Sequence, residues 1–316
     1  MRLPHPIPKS GCHLEVAFFK IFIMYKHTRK RKPENIWSKE CNDLIRGAAG
    51  GFLFGIPLLY TMEVWWIGSF TKPPVLLGAI ASSFVGVFLL TRTEGFRKTK
   101  EIKASDAVMD SVEAIAIGIV CATILLILLR EITQDTSLSE AVGKAIFEGI
   151  PFSLGVALSR ALLSGDRYQP SDGQDTPPPP NQTSMNATLA DIGATLIGAT
   201  IVGFNIAPTD EVPMLAAASS PPWQLAIIAA SLLISYGIVF QAGFTDEGKR
   251  IKQRGLFQRP LSETVMSYLV SLFAATLMLW FFHKLSFDDP WQTWLSYTLL
   301  LGLPATIGGA AGRLAV

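Results

Sequence analysis

Five carboxylates fall within or at the edges of long apolar runs, Glu63, Asp110, Glu113, Glu148 and Glu211, and they are the first residues here that could do chemistry. An ionisable group at membrane depth is costly and needs a reason. Glu63 (YTMEVWW) and Glu211 (APTDEVP) stand near the outer ends of the first and fifth apolar runs. They read either as a cation site or proton-linked entrance, or as interfacial carboxylates that order a loop or cap a neighbouring helix. Trp65 and Trp66, beside Glu63, fit an interfacial aromatic belt. Asp106, Asp110 and Glu113 are spaced i, i+4, i+7, which puts them on one helix face, a ladder able to relay cations or protons. Asp106 also reads simply as a negative charge at a helix start.

Glu148 comes one residue before a Gly-Ile-Pro sequence. Pro151, and Pro304 in a similar context, are expected to kink or unwind their helices and free backbone carbonyls. A broken helix beside a carboxylate is one way to build an ion site, and a packing kink is the plainer reading. Arg160 and Arg313 close the same two helices, either as snorkelling topology anchors or as partners for Asp110 and Glu263.

Other chemistry finds little support. Cys12, Cys41 and Cys121 have no metal-like spacing, and three of the four histidines lie in the N-terminal tail, so zinc or di-iron sites lack ligands. The sequence shows no catalytic or cofactor motif, and nothing points to nucleic acid. The expected partners are a lipid bilayer and a cation or proton.

The elements that must position these residues are membrane helices. The chain is 49% hydrophobic and only 16% charged, with a mean hydropathy of +0.36, whereas soluble domains carry about 25% charged residues. A spanning helix needs about 20 mostly apolar residues. Eight stretches qualify, at about 44–67, 74–92, 107–129, 142–163, 188–207, 222–243, 262–283 and 292–315. Lys and Arg crowd the tail and the loops after the second and sixth stretches, which predicts cytoplasmic termini. Residues 14–25 are apolar but interrupted by Glu15 and Lys20, which reads as an interfacial or disordered tail and not as a signal peptide. Pro177 to Pro180 mark a spacer between halves. The sequons at Asn181 and Asn186 fall on the predicted cytoplasmic side, so glycosylation is not expected.

The halves resemble each other. A shift of 148 residues sets Asp43 on Asp191, Gly50 and Gly55 on Gly198 and Gly203, Glu63 on Glu211, and Pro73-Pro74 on Pro221-Pro222. Further on, GIPFSLGVALSR (149–160) meets GLPATIGGAAGR (302–313), matching Pro151 with Pro304 and Arg160 with Arg313. Apolar composition does not easily generate matched Asp, Glu, Arg and Pro-Pro in one order. The expected fold is all-α: a polytopic bundle of about eight helices built from two parallel four-helix repeats. Its parts are a basic tail (1–42), a first repeat (43–163), a Pro-rich cytoplasmic linker (164–187) and a second repeat (188–316). The ladder Gly47, Gly51, Gly55 is expected to pack closely on a neighbouring helix.

RGAAGGFLFGIPLLYTMEVWW and EGIPFSLGVALSRALL resemble a family of uncharacterised integral membrane proteins of cyanobacteria and other bacteria, over roughly residues 37–316. The resemblance implies a bacterial inner membrane protein and brings no site residues with it. The functional expectation is a small-solute or cation transporter or channel with a site between the repeats. The alternative is a non-transporting assembly factor or sensor acting through cytoplasmic loops.

Overall fold

The computed structural model describes residues 36–93, 104–163, 184–241 and 260–314, and the architecture is that of the unit Cys41–Val316. The basic tail before residue 36, most of the Pro-rich linker, the loops at 94–103 and 242–259 and the Arg160 side chain lie outside the described residues.

Ten α-helices and no strand occur among the described residues: α1 (Ile36–Leu59), α2 (Met62–Phe70), α3 (Pro73–Thr93), α4 (Ala104–Leu128), α5 (Leu138–Leu163), α6 (Ser184–Ile206), α7 (Glu211–Ala218), α8 (Pro221–Tyr236), α9 (Pro260–Phe281) and α10 (Trp291–Leu314). A π-helical turn, Gly237–Gln241, continues α8. Seven helices are long and apolar enough to cross a bilayer, and α1 with α2 makes an eighth span if that bent pair crosses as one. The fold is an all-α, multi-pass membrane bundle.

The helices are apolar on the outside and polar on the inside. On α4, Met109, Val112, Val120 and Ile124 are exposed, while Ala107, Asp110, Ser111, Ala114 and Gly118 are buried. On α9, Leu261, Val265, Leu269 and Phe273 face out, and Glu263, Thr264, Ser267 and Ser271 face in. This reverses the pattern of a water-soluble helix and suits lipid as the outer solvent.

The apolar run 44–67, expected as one span, is divided: the chain turns by 88° between α1 and α2. Pro57 lacks the N–H that would bond the Leu53 carbonyl, which weakens the last turns of α1. Thr61 is extended (φ −107°, ψ 95°), and Glu63 lies in the first turn of α2, where the helix dipole favours negative charge. The Trp65 indole donates to the Leu59 carbonyl at 3.2 Å and holds the elbow shut.

Glycines set the closest helix contacts. A Cβ on Gly50 would meet the Gly155 carbonyl oxygen at 2.5 Å, so α1 and α5 cross almost backbone to backbone. Gly51 and Gly55 abut the Phe152 side chain of α5 on the same face. Gly198 of α6 and Gly308 of α10 stand in the same mutual contact.

The turns after α4 and α9 also match. Arg130 and His283 have left-handed backbones (φ 68° and 59°). Glu131 N–H donates to the Leu126 carbonyl (2.8 Å) and Arg130 N–H to that of Ile127 (3.1 Å). Lys284 N–H donates to the Leu279 carbonyl (2.9 Å) and His283 N–H to that of Trp280 (3.1 Å). Each set is a Schellman cap. Thr133 N–H then donates to Thr136 Oγ1 (2.9 Å), and Ser286 N–H to Asp289 Oδ2 (2.6 Å). The two turns share this bonding at a constant shift of 153 residues although their side chains differ almost throughout.

A matched pair of substitutions on α6 tests the glycine contact. Gly198→Ala should destabilise the protein by about 1–3 kcal/mol because the new methyl meets the α10 backbone. Gly193→Ala, which meets nothing within 4 Å, should be neutral or stabilise by up to about 1 kcal/mol. Thermal unfolding in detergent measures both, and equal effects would mean that α6 and α10 do not touch there.

A buried carboxylate at the helix elbow

Helix α5 carries Glu140, Lys144, Glu148 and Phe152 at intervals of four, one column along one face. The column runs from water into the core. The Glu140 side chain is about one third exposed, Lys144 is buried, and Glu148 and Phe152 are wholly enclosed. Lys144 lies over the Trp65 ring of α2 at 5.5 Å, and Phe152 lies against Gly51 and Gly55 of α1. Glu148, between them, faces the elbow where α1 turns into α2.

Lys144 is fully occupied at the outer end. Its Nζ donates to the Glu131 backbone carbonyl (2.8 Å) and reaches the carboxylates of Glu140 (2.9 Å) and Glu131 (3.5 Å). Burial pushes the Glu131 carboxyl above the ordinary carboxylate range; Lys144 draws it back down and Glu140 adds a smaller push upward. Glu148 has nothing comparable: both carboxylate oxygens are buried and neither has a hydrogen-bond partner. It stands ten residues into α5, about 15 Å along the axis and close to half the thickness of a hydrocarbon core.

The equivalent positions on α10 hold no charge. The 153-residue shift sets Thr293, Tyr297 and Leu301 where α5 has Glu140, Lys144 and Glu148. Leu301 is as completely buried as Glu148. A helix at this place in the bundle therefore accepts an apolar side chain.

The elbow also meets the second half of the chain. Pro304 cannot donate to the Leu300 carbonyl, and the buried Tyr60 hydroxyl donates to it instead, at 2.6 Å. Pro151 and Pro304, expected as helix breaks, sit inside continuous helices. The carbonyl left by Pro304 is taken by a side chain, so no unwinding is needed.

The other expected site residues are dispersed. Glu63 is exposed on the first turn of α2; Glu211 is half-buried on the first turn of α7, with Oε2 enclosed. Asp106 is exposed, Asp110 buried and Glu113 half-buried, so the three do not form one buried file. Arg313 does not snorkel as an anchor: it is wholly buried, paired with Glu263 and set 5.7 Å from the Phe240 ring in the π-turn. Trp66 is exposed as a belt residue would be, whereas Trp65 is buried beneath Lys144. Lys144, Glu131 and Tyr60 are the functional candidates that the sequence reading did not single out; the i, i+4, i+8 spacing of Glu140, Lys144 and Glu148 was its one available signal.

A cavity of about 10 Å³, enough for one water, lies among α3, α4 and α5 beside Gly149, Ser83 and Ser153. A groove of about 710 Å³ between α6 and α9 is lined by apolar side chains and Ser262. No cluster of three metal-ligating side chains occurs among the described residues.

Residues 43–316 match the model of a family described as "Putative integral membrane protein (DUF2391)". No curated protein and no solved structure matches the chain.

The upward shift at Glu131 has a definite sign. A carboxyl held above its ordinary pKa gives its full stability below about pH 4.5 and loses it as pH rises through the higher folded value. Glu131→Gln should remove that loss. The difference in thermal midpoint, variant minus wild type, should therefore grow as pH rises from about 4.5 toward neutrality. A difference that stays flat or shrinks would place Glu131 in water.

Proposed function

Given that the chain belongs to this family of integral membrane proteins, we propose that it moves a proton or small cation across the bilayer, with Glu148 as the group that takes up the charge. The observation that carries this reading is the enclosure of both Glu148 oxygens without a partner. An ionised carboxylate costs several kcal/mol in such a place unless it is paired or neutralised, so Glu148 has reason to bind a cation or a proton. The buried Leu301 at the equivalent place supports a role outside packing. The Tyr60–Leu300 bond brings the elbow against the second half, which suits a site between repeats.

We read the two halves as products of duplication, each with four spans and one short helix, α2 or α7. The paired glycine crossings and the paired Schellman turns support this. The Lys and Arg distribution supports cytoplasmic termini in a bacterial inner membrane.

Two measurements test these readings. Glu148→Gln and Glu148→Leu should both accumulate, and Glu148→Leu should unfold at the wild-type temperature or above, because an apolar side chain replaces a lone buried acid. Flux of protons or alkali cations in proteoliposomes should fall to background in both. Wild-type flux in either variant would show that Glu148 carries nothing. For topology, single cysteines at Lys72 and Ser220, in a protein lacking its own three, should react with an impermeant maleimide in intact cells. One at Ala104 should react only after permeabilisation, and early labelling there would reverse the orientation.

A further inference from the structure

We propose that the groove between α6 and α9 is a binding site for one acyl chain of a bilayer phospholipid. Its volume is about 710 Å³, within the range of roughly 300–1,000 Å³ usual for ligand sites. Helix α9 lines it with Leu261, Val265, Leu269 and Phe273 at intervals of four, and α6 with Ile192 and Leu196. The four α9 side chains are exposed on a helix long and apolar enough to cross the bilayer, so the face they form meets hydrocarbon. The groove is thus continuous with the lipid-facing surface, and lipid is what reaches it. The site is separate from Glu148, and the inference needs no cargo there.

Buried contacts fix the groove from behind. Thr195 of α6 and Ser267 of α9 meet hydroxyl to hydroxyl at 3.3 Å. Thr195 Oγ1 donates to the Asp191 carbonyl, so Ser267 Oγ is the donor in that contact. Helix α10 touches both walls: a Cβ on Gly309 would meet Ser271 Oγ of α9 at 2.7 Å and Thr195 Cγ2 of α6 at 2.9 Å. The sequence neighbours of the hydroxyl pair, Leu196 and Met266, line the groove. A seam held in this way is pre-formed, so a chain binds without first ordering the protein. The first half lacks the hydroxyl pair: the 148- and 153-residue shifts set Gly47 and Ala114 at the places of Thr195 and Ser267.

Length and polarity favour a phospholipid chain. From Leu261 to Phe273 the lining extends about 18 Å along α9, close to half of a hydrocarbon core about 30 Å thick, which is one leaflet. It starts in the first turn of α9, at headgroup level. Ser262, the polar side chain of the lining, stands at that same end, where the ester groups of a phospholipid lie. The groove therefore matches an amphiphile laid along the bilayer normal, polar at the mouth and apolar along its length. A second copy of the chain fits less well, because a two-fold contact through this face would set groove against groove and fill neither.

A phospholipid carrying a photoreactive diazirine in its acyl chain, in vesicles with the full-length protein, tests the site. After illumination, mass spectrometry should find adducts on Val265 and Phe273 about tenfold more often than on Val112 and Val120, the exposed α4 positions that the 153-residue shift matches to them. Val270→Trp, at a residue of the lining, should bring labelling of α6 and α9 down to the level of α4. Leu196→Phe fills the groove from the other wall and should act in the same direction, so failure of one variant to fold leaves the other to decide. Equal labelling of α9 and α4 in the wild-type protein would overturn the site, as would labelling that neither variant reduces. Labelling by a diazirine fatty acid but not by the phospholipid would overturn it as well. Disulfide-linked dimers through Val265→Cys, with no lipid adducts on α9, would put a second copy in the groove and overturn it too.

Discussion

A polar group in hydrocarbon must find its partner inside the protein, and most of this fold follows from that constraint. Buried hydroxyls turn back to carbonyls four residues earlier: Ser153 to Gly149, Thr195 to Asp191, Ser231 to Ile227, Ser271 to Ser267 and Thr306 to Gly302. Arg313, wholly buried, meets Glu263. The carbonyl that Pro304 leaves open meets Tyr60. Against this discipline Glu148 stands out as a wholly buried acid with neither carboxylate oxygen bonded.

The comparison between halves sharpens that contrast. Duplication, on our reading, supplied two copies of one scaffold, and the copies keep the same glycine crossings and the same turn after the third long helix. They differ in where charge is buried. On α5 the first half encloses Lys144 and Glu148, where α10 has Tyr297 and Leu301; by contrast the buried Asp110 of α4 and the buried Glu263 of α9 fall at one place under the 153-residue shift. Chemistry that both copies needed for folding would be expected in both. A column present in one copy alone reads more naturally as an acquired task.

Much of the architecture was legible because hydropathy and helix length are local properties. The spans, their small-residue interiors and the all-α class come directly from composition. The elbow was not legible, since residues 44–67 are uniformly apolar and the bend depends on Pro57, an extended Thr61 and a tryptophan folded back on Leu59. Trp65 and Trp66 are identical as letters, and only the passage of α5 decides which is buried. The prolines misled for a related reason: Pro304 suggested a broken helix, and a tyrosine about 240 residues away makes a break unnecessary. Glu148 was legible as a buried acid, but its lack of partners was not, because an absence depends on every neighbour.

The glycine crossings also constrain mechanics. Where α1 lies on α5 and α6 on α10 with backbones in contact, no side-chain layer remains to shear, so each pair behaves as a rigid beam. Between the two pairs runs a shared buried core that includes Ile56, Leu59 and Leu125 on one side and Ile227, Leu300 and Leu301 on the other, with Tyr60 bonded to Leu300 within it. Movement in this bundle would therefore have to repack that core, while the glycine crossings stay fixed.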